Sequence, residues 1–175
     1  IWRPPPHQMV QPLFAKKVCD KEEVIKQLHD ALYCSKICAY AQGFELMKSA
    51  GEQQGWDLDF AAIAKIWRAG CIIQSRFLDE ISTAFSKDPD VANLVITPAF
   101  SKLLGECDGP LRHIVSESVL NGSPVPALAS AVSYFDTYRR GQGAANLIQG
   151  QRDFFGAHGF KRLDEEGDHH GPWGS

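Results

Sequence analysis

Apolar residues recur every three or four positions along most of the chain, and this spacing predicts amphipathic helices. No segment alternates apolar and polar residues over the length of a strand, so the sequence predicts an all-α fold. The first helix is predicted to begin at Asp20, where Asp20 and Glu23 resemble a capping box, and to end at Gly51. Its apolar and small positions are Val24, Leu28, Leu32, Cys38, Leu46 and Met47.

The second predicted helix is long and strongly apolar. It begins at Asp57, or alternatively at Asp59, and continues to Phe85. At about 27 residues it would extend roughly 40 Å, and its stripe of Trp, Phe and Ile predicts that protein covers both of its sides. Within it, we expect Trp67 to lie in the core and Gly70 to permit close approach of another helix. We therefore expect an obligate homodimer or a larger assembly.

Shorter helices are predicted in the C-terminal half. Their approximate ranges are 97–104, a helix that follows 108–110 and ends at 121–122, a helix that contains 128–138, and a last helix that Asn146 caps and that continues to Phe155. Three consecutive prolines at 4–6 favour an extended start. The domain prediction is an extended proline-rich arm or linker at 1–19, a helical domain at 20–160 and a C-terminal tail at 161–175.

Composition narrows the class of protein. With 175 residues, of which 44% are hydrophobic, the chain can fill one sizeable core. Its 18 basic and 21 acidic residues are interspersed, so neither a nucleic-acid surface nor long disorder is predicted. No apolar run approaches the length of a membrane span. Five cysteines without a C-x-x-C pair indicate reduced thiols, and we expect a cytoplasmic protein, with import into an organelle as the alternative.

Two groups of residues could suit a metal ion. Cys34 and Cys38 share a helix face, and Asp168, His169 and His170 are adjacent in the tail. Neither group has the further ligands or the supporting shell that a metal centre needs, so we predict no metal site. The general signatures of nucleotide binding and of hydrolytic catalysis are also missing from the sequence.

Four segments carry a resemblance to a known family. They are Tyr33–Phe44 (YCSKICAYAQGF), Ile66–Ser75 (IWRAGCIIQS), Ser133–Arg139 (SYFDTYR) and Leu147–His158 (LIQGQRDFFGAH). In this order they strongly resemble the C-terminal helical domain of decarboxylating 6-phosphogluconate dehydrogenase.

That resemblance implies an NADP-dependent oxidative decarboxylation of 6-phosphogluconate to ribulose 5-phosphate and CO2 by a homodimer. It implies that Arg152 and His158 bind the phosphate of a substrate held by the other subunit. A guanidinium can present two parallel N–H groups to phosphate oxygens, which suits Arg152 to this role. The family also keeps a His and a Trp three residues apart near its end, so we expect His170 and Trp173 to dock the tail on a partner.

Other parts of the family pattern have no counterpart in the sequence. These are the dinucleotide-binding domain, the catalytic lysine and glutamate, and a K-G-T-G-x-W segment. We therefore expect the chain alone to be inactive, and we assign no catalytic residue. Two hypotheses remain. The chain is the dimerising, substrate-completing part of the enzyme, with the N-terminal half supplied separately, or it is a non-catalytic helical subunit of a larger complex. The divergent arm at 1–18, as a partner-binding segment, favours the second hypothesis, and retention of Arg152, Gly156 and His158 favours the first.

Overall fold

A computed structural model describes residues 20–173 of the chain, and the predicted arm at 1–19 lies outside this range. The described residues form two compact units that divide between Tyr134 and Phe135. Their helices are α1 (Lys21–Gln54), α2 (Phe60–Ile66), α3 (Leu78–Lys87), α4 (Pro98–Leu120), α5 (Pro126–Tyr138) and α6 (Ala145–Gly156), with a 3-10 turn at Leu94–Ile96. The only β-type pairing within 20–173 is one isolated antiparallel bridge, so the predicted all-α fold is confirmed.

Helix α1 begins where the sequence predicted and ends later. The Asp20 carboxylate accepts the Glu22 N–H at 3.0 Å and caps the helix. The helix continues past Gly51 to Gly55, which adopts the left-handed conformation at φ 68° and donates its N–H to the Gly51 carbonyl. Gly51 instead makes room for the returning chain, because a Cβ there would lie 3.2 Å from Leu58 Cδ1.

The face of α1 that enters the core differs from its most apolar stripe. Helix α1 packs along α4, and its buried side chains are mostly small or medium in size: Ala31, Cys34, Ile37, Cys38 and Ala41. The larger Phe44, also buried, packs against the rings of Phe60 and Phe85. Of the six positions that the periodicity selected, only Cys38 is buried, whereas Leu28, Leu32 and Leu46 are exposed. The first unit therefore presents large apolar side chains at its surface.

The predicted helix from residue 57 or 59 to residue 85 is wrong, because the segment forms two helices. Asp59 caps α2 by accepting the Ala62 N–H at 2.9 Å, and the helical path stops at Trp67. Helix α3 then folds back on α2, so that the rings of Phe60 and Phe85 are 5.3 Å apart. In one continuous helix these residues would be separated by about 37 Å. The helical spacing of apolar residues continues across both short helices because both turn their apolar faces to the same core.

Residues 67–77 form the turn between these helices. Trp67 is half-buried and packs against the core, with its ring 5.3 Å from that of Phe44. Gly70 has φ 69°, and a Cβ there would meet nothing within 4 Å, so it supplies a backbone conformation and no close helix approach. Ile72 is fully exposed, at 100%. Because the predicted long helix does not form, its length gives no reason to expect an assembly of several chains.

The two helices predicted at 97–104 and after 108–110 are one helix, α4, with Pro110 inside it. Its buried positions are Phe100, Leu104, Cys107, Leu111 and Ile114, which continue at steps of four and three across the proline. Packing of this stripe on α1 outweighs the single hydrogen bond that Pro110 removes. At α6 the predicted cap is also wrong, since Ala144 and not Asn146 occupies the N-cap position.

A buried polar network joins α1 to the loop before α4. Asn93 donates its amide N–H groups to Glu45 Oε2 at 2.8 Å and to Tyr134 Oη at 2.7 Å. Its carbonyl oxygen accepts the Val95 N–H at 2.9 Å. With every group of the side chain bonded, Asn93 can be buried at little cost, and it fixes this loop against the first helix.

The four cysteines in the described range are free thiols. Cys34 and Cys38 on α1 and Cys107 on α4 are buried together, and Cys71 lies closer to the surface. Hydrogen bonding to Cys107 and then Cys38 raises the pKa of the Cys34 thiol. None of the helices in residues 20–173 has both the length and the apolar composition needed to cross a bilayer.

Candidate functional site

The candidate phosphate ligands Arg152 and His158 lie in the second unit, at the end of α6. Arg152 is on the last turns of the helix, and its Nη1–H donates to Gln149 Oε1 at 2.8 Å. The Gln149 amide donates in turn to the carbonyl of Gly159 at 2.6 Å, next to His158. Gln149 thus links the arginine to the turn that carries the histidine. The exposed guanidinium has no carboxylate within ion-pair distance among the described residues.

The position of the His158 ring depends on a glycine. Helix α6 ends at Gly156, and the imidazole of His158 folds back over it. A Cβ at Gly156 would lie 2.8 Å from Nε2 and 3.0 Å from Cδ2 of that ring. Contacts this short are excluded for real side chains, so only glycine permits this placement of the ring.

The turn after α6 contains a strained residue. Ala157 is left-handed at φ 49°, the only positive φ of a non-glycine residue within 20–173. This conformation costs about 1 kcal/mol for a residue with a Cβ. The Ala157 N–H donates to the Asp153 carbonyl at 2.8 Å, and the Gly159 N–H donates to Asp153 Oδ1 at 2.8 Å. Both neighbours of His158 are therefore bonded to one residue.

Asp153 is the residue of this site that the sequence analysis missed. It is 2% exposed, and its carboxylate accepts four hydrogen bonds. Oδ1 accepts from Gly159 N and, at 2.7 Å, from His170 Nδ1, while Oδ2 accepts from Gly171 N at 2.8 Å and Trp173 Nε1 at 2.6 Å. The N–H of Gly171, then the indole of Trp173, hold the pKa of this carboxyl well below its usual value. The one signal in the sequence was weak: Asp153 is the sole acid between Asp136 and Asp164.

The tail returns to α6 through a short antiparallel contact. The backbone groups of Phe160 and His169 exchange two hydrogen bonds, at 2.9 and 3.0 Å. This reversal brings His170 and Trp173 to Asp153 of the same chain, and docking of the tail on a partner stays a prediction. Trp173 also packs edge-on against Phe154, with ring centroids 6.0 Å apart.

The charged residues of the tail pair with one another at the surface. Lys161 bonds to Asp168 at 2.6 Å, and Arg162 makes two bonds to Asp164 at 2.8 and 2.6 Å. These partners lower the pKa of both aspartates, and the exposed pairs add little stability. Asp168, His169 and His170 have separate partners, and no group of three ligating side chains in residues 20–173 is placed to hold a metal ion.

A wide depression lies elsewhere, in the first unit. It has a volume of about 1150 Å³ and lies beside α1 and the 67–77 turn. Its charges are balanced, because three basic and three acidic side chains line it, among them Arg68 and Asp79, which pair at 2.6 Å. Its lining residues all belong to the first unit, and Arg152 and His158 are not among them.

Comparison with known proteins decides the family. The family model of the 6-phosphogluconate dehydrogenase C-terminal domain matches residues 5–173. The chain belongs to this family. The match begins inside the segment 1–19, for which the sequence analysis predicted an arm.

The family resemblance extends to individual relatives and to a solved structure. The decarboxylating 6-phosphogluconate dehydrogenase of Escherichia coli (strain K12) is 46% identical over 159 residues, which are 91% of this chain and 34% of the relative. The NADP(+)-dependent enzyme of Bacillus subtilis (strain 168) is 46% identical over 154 residues, 88% of this chain and 33% of the relative. The structure of Plasmodium falciparum 6-phosphogluconate dehydrogenase matches with a TM-score of 0.85 at 35% identity, over 92% of this chain and 34% of that one. The chain thus spans about a third of the length of the curated relatives it matches.

Proposed function

We propose that this domain is the substrate-phosphate-binding and dimerisation part of an NADP-dependent 6-phosphogluconate dehydrogenase, which converts 6-phosphogluconate to ribulose 5-phosphate and CO2. The observation that supports it is the linkage of Arg152 through Gln149 to the turn bearing His158. The exposed guanidinium of Arg152 provides a positive charge and N–H donors for a phosphate dianion, and the imidazole of His158, on the linked turn, provides a further N–H donor.

The two candidate ligands have distinct roles in this proposal. Arg152 offers a planar pair of N–H groups, and its only side-chain partner among the described residues is the neutral Gln149, so an anion need not displace a carboxylate. His158 adds a donor from a ring whose path Gly156 fixes. Both residues bind and orient the substrate, and we assign neither of them a proton transfer.

The described residues do not fit a dinucleotide. Such a cofactor binds at the carboxyl ends of parallel strands, beside a glycine-rich turn. The elements formed by residues 20–173 are helices, so these residues offer no such edge. We propose that NADP is bound by a part of the enzyme other than these residues, and we derive no step of hydride transfer through this domain. On this proposal the 175-residue chain alone has no dehydrogenase activity.

Dimerisation is supported by the apolar side chains that each unit exposes. In the first unit Leu28, Leu32 and Leu46 lie on α1, and Ile72 and Ile73 lie in the 67–77 turn. In the second unit α6 exposes Leu147, Ile148, Phe154 and Phe155. Clusters of this kind on a soluble surface are typical of subunit interfaces. We propose a homodimer or larger assembly, in the cytoplasm, where the four described free thiols stay reduced.

A chimera tests the proposal. This chain replaces the matching third of the Escherichia coli relative, and NADPH formation from 6-phosphogluconate is measured in a host strain lacking its own enzyme. We expect turnover by the chimera, no turnover by the 175-residue chain, and a dimer in sedimentation for both. A dimeric, folded chimera that neither binds nor turns over the substrate would contradict the enzymatic role and favour the non-catalytic assembly subunit.

A further inference from the structure

We propose that Asp153 is a positioning residue for the phosphate site, which it builds by fixing both the His158 turn and the returning tail to α6. The inference rests on the proposed function of Arg152 and His158. Asp153 itself is buried and has no path to a phosphate, so it acts through the groups that it holds.

The first step of the argument is how Asp153 brackets His158. Its backbone carbonyl accepts the Ala157 N–H, and its Oδ1 accepts the Gly159 N–H, each at 2.8 Å. The Gly159 carbonyl is held as well, by the Gln149 amide that also bonds Arg152. These bonds keep Ala157 in its left-handed conformation, which would otherwise relax. The direction of His158 relative to α6 is thus set by Asp153 and Gln149.

The second step concerns the tail. Three of the four donors to the carboxylate, His170 Nδ1, Gly171 N and Trp173 Nε1, come from residues 17 to 20 positions further along the chain. An ionised carboxylate only accepts hydrogen bonds, so Nδ1 of His170 carries its hydrogen in this arrangement. The tail therefore closes over the same turn that carries His158.

The third step explains why a charged side chain occupies the buried position 153. Asp153 is the one charged side chain that is buried among residues 20–173. Burial of an unpaired charge is costly, and a carboxylate tolerates it when its acceptor sites are filled. Four donors fill the sites of Asp153. An apolar residue would pack in the same space, but it could not gather four N–H groups from two separate segments.

The test compares Asp153→Asn with Asp164→Asn in the chimera. Asp164 is an exposed tail aspartate whose carboxylate bonds only Arg162 among the described side chains, so its variant removes a similar charge without touching the turn. In Asp153→Asn, the new amide N–H groups face N–H donors, and about half of the bonds to this side chain are lost. We expect the Kd of 6-phosphogluconate to rise about tenfold or more, with little change for Asp164→Asn.

A second ligand separates positioning from general destabilisation. Gluconate lacks the phosphate, so its inhibition constant should change less than about twofold in Asp153→Asn. Trp173→Phe keeps an aromatic ring and removes one of the four donors, and we expect a smaller rise in the Kd of 6-phosphogluconate. Unchanged 6-phosphogluconate binding in Asp153→Asn, or an equal loss of binding for both ligands, would overturn the inference.

Amide exchange in the 175-residue chain keeps the inference testable if the proposed function fails. That failure would be seen as an Arg152→Ala chimera that binds 6-phosphogluconate as the parent does. In that case we still expect the amides of Gly159 and Gly171 to be protected in the wild-type chain and in Asp164→Asn, and to exchange at least about tenfold faster in Asp153→Asn. Unaltered protection in Asp153→Asn would show that Asp153 does not fix the turn or the tail.

Discussion

Trp173 donates its indole N–H to Asp153 Oδ2 across 2.6 Å, although 20 positions separate the two residues. This contact joins the end of the described chain to the last turn of α6, directly after Arg152. The tail, the turn at His158 and the helix therefore form one structure around a single carboxylate.

Acid should release the tail. The pKa of Asp153 is lower in the folded chain than its ordinary value, so its contribution to stability is complete above the unfolded pKa of about 3.9 and is lost as the pH falls further. We expect the wild-type chain to have a higher Tm than Asp153→Asn, by a margin that is constant between about pH 5 and 8 and shrinks below about pH 4. Thermal unfolding at matched pH values measures this margin. A margin that shrinks between about pH 6 and 7 would assign the effect to another group.

Gly156→Ala should separate ligand placement from stability. The new Cβ would lie 2.8 Å from His158 Nε2, so the ring must move, while alanine suits a helix better than glycine by up to about 1 kcal/mol. We expect an unchanged or slightly raised Tm and a weaker affinity of the chimera for 6-phosphogluconate. Gly150→Ala is the matched control, because its Cβ would make an ordinary contact of 3.8 Å with Trp173. Equal affinities for the two variants would show that the position of the ring is unimportant.

Asn93→Asp should destabilise the first unit. The substitution keeps the shape of the side chain and places a carboxylate 2.8 Å from Glu45 Oε2, where an amide N–H now donates. We expect a loss of about 2 to 4 kcal/mol at pH 7 and a smaller loss near pH 4, where carboxylates become protonated. Urea unfolding measures both, with the exposed Asn146→Asp as control. A loss at pH 7 no larger than that of Asn146→Asp would contradict the role of this network.

Thiol reactivity should report the packing of α1 on α4. Cys34, Cys38 and Cys107 are buried between these helices, and Cys71 is partly accessible. In a Cys19→Ser background we expect one thiol to react quickly with a soluble disulfide reagent and three to react only on the timescale of unfolding. Labelling followed by mass spectrometry identifies each site. Rapid labelling of Cys107 would show that the core between α1 and α4 is open.

Local sequence signals predicted the elements better than their connections. The cap at Asp20 follows from residue chemistry alone, and the structure confirms it. The apolar character of Trp67 likewise predicts packing, and the structure places it half-buried against Phe44. The break at 67–77 and the continuity of α4 through Pro110 do not, because each depends on which distant helix covers the apolar stripe. Periodicity indicates that a segment has an apolar face, and it does not indicate what covers that face or how many helices share it.

The candidate site shows the same limit. Arg152 and His158 stand in a contiguous segment that resembles a family motif, so a sequence comparison can find them. Asp153 stands between them, but its importance depends on His170, Gly171 and Trp173, which the reversal at 160–169 brings back to α6. No local pattern encodes that reversal. A buried carboxylate whose donors lie far along the chain becomes visible only in the structure.

Calorimetric titration of the chimera with 6-phosphogluconate tests the central claim most directly. We expect Arg152→Ala to weaken binding by about 1.5 to 3 kcal/mol, or about tenfold to more than a hundredfold, because a charge-assisted pair of hydrogen bonds is lost. Arg152→Lys should recover part of the loss, since an ammonium keeps the charge without the planar geometry. Arg140→Ala, at another exposed arginine of the same unit, should bind as the parent does. Equal affinities of the parent, Arg152→Ala and Arg140→Ala proteins would contradict the claim that this domain completes a phosphate site.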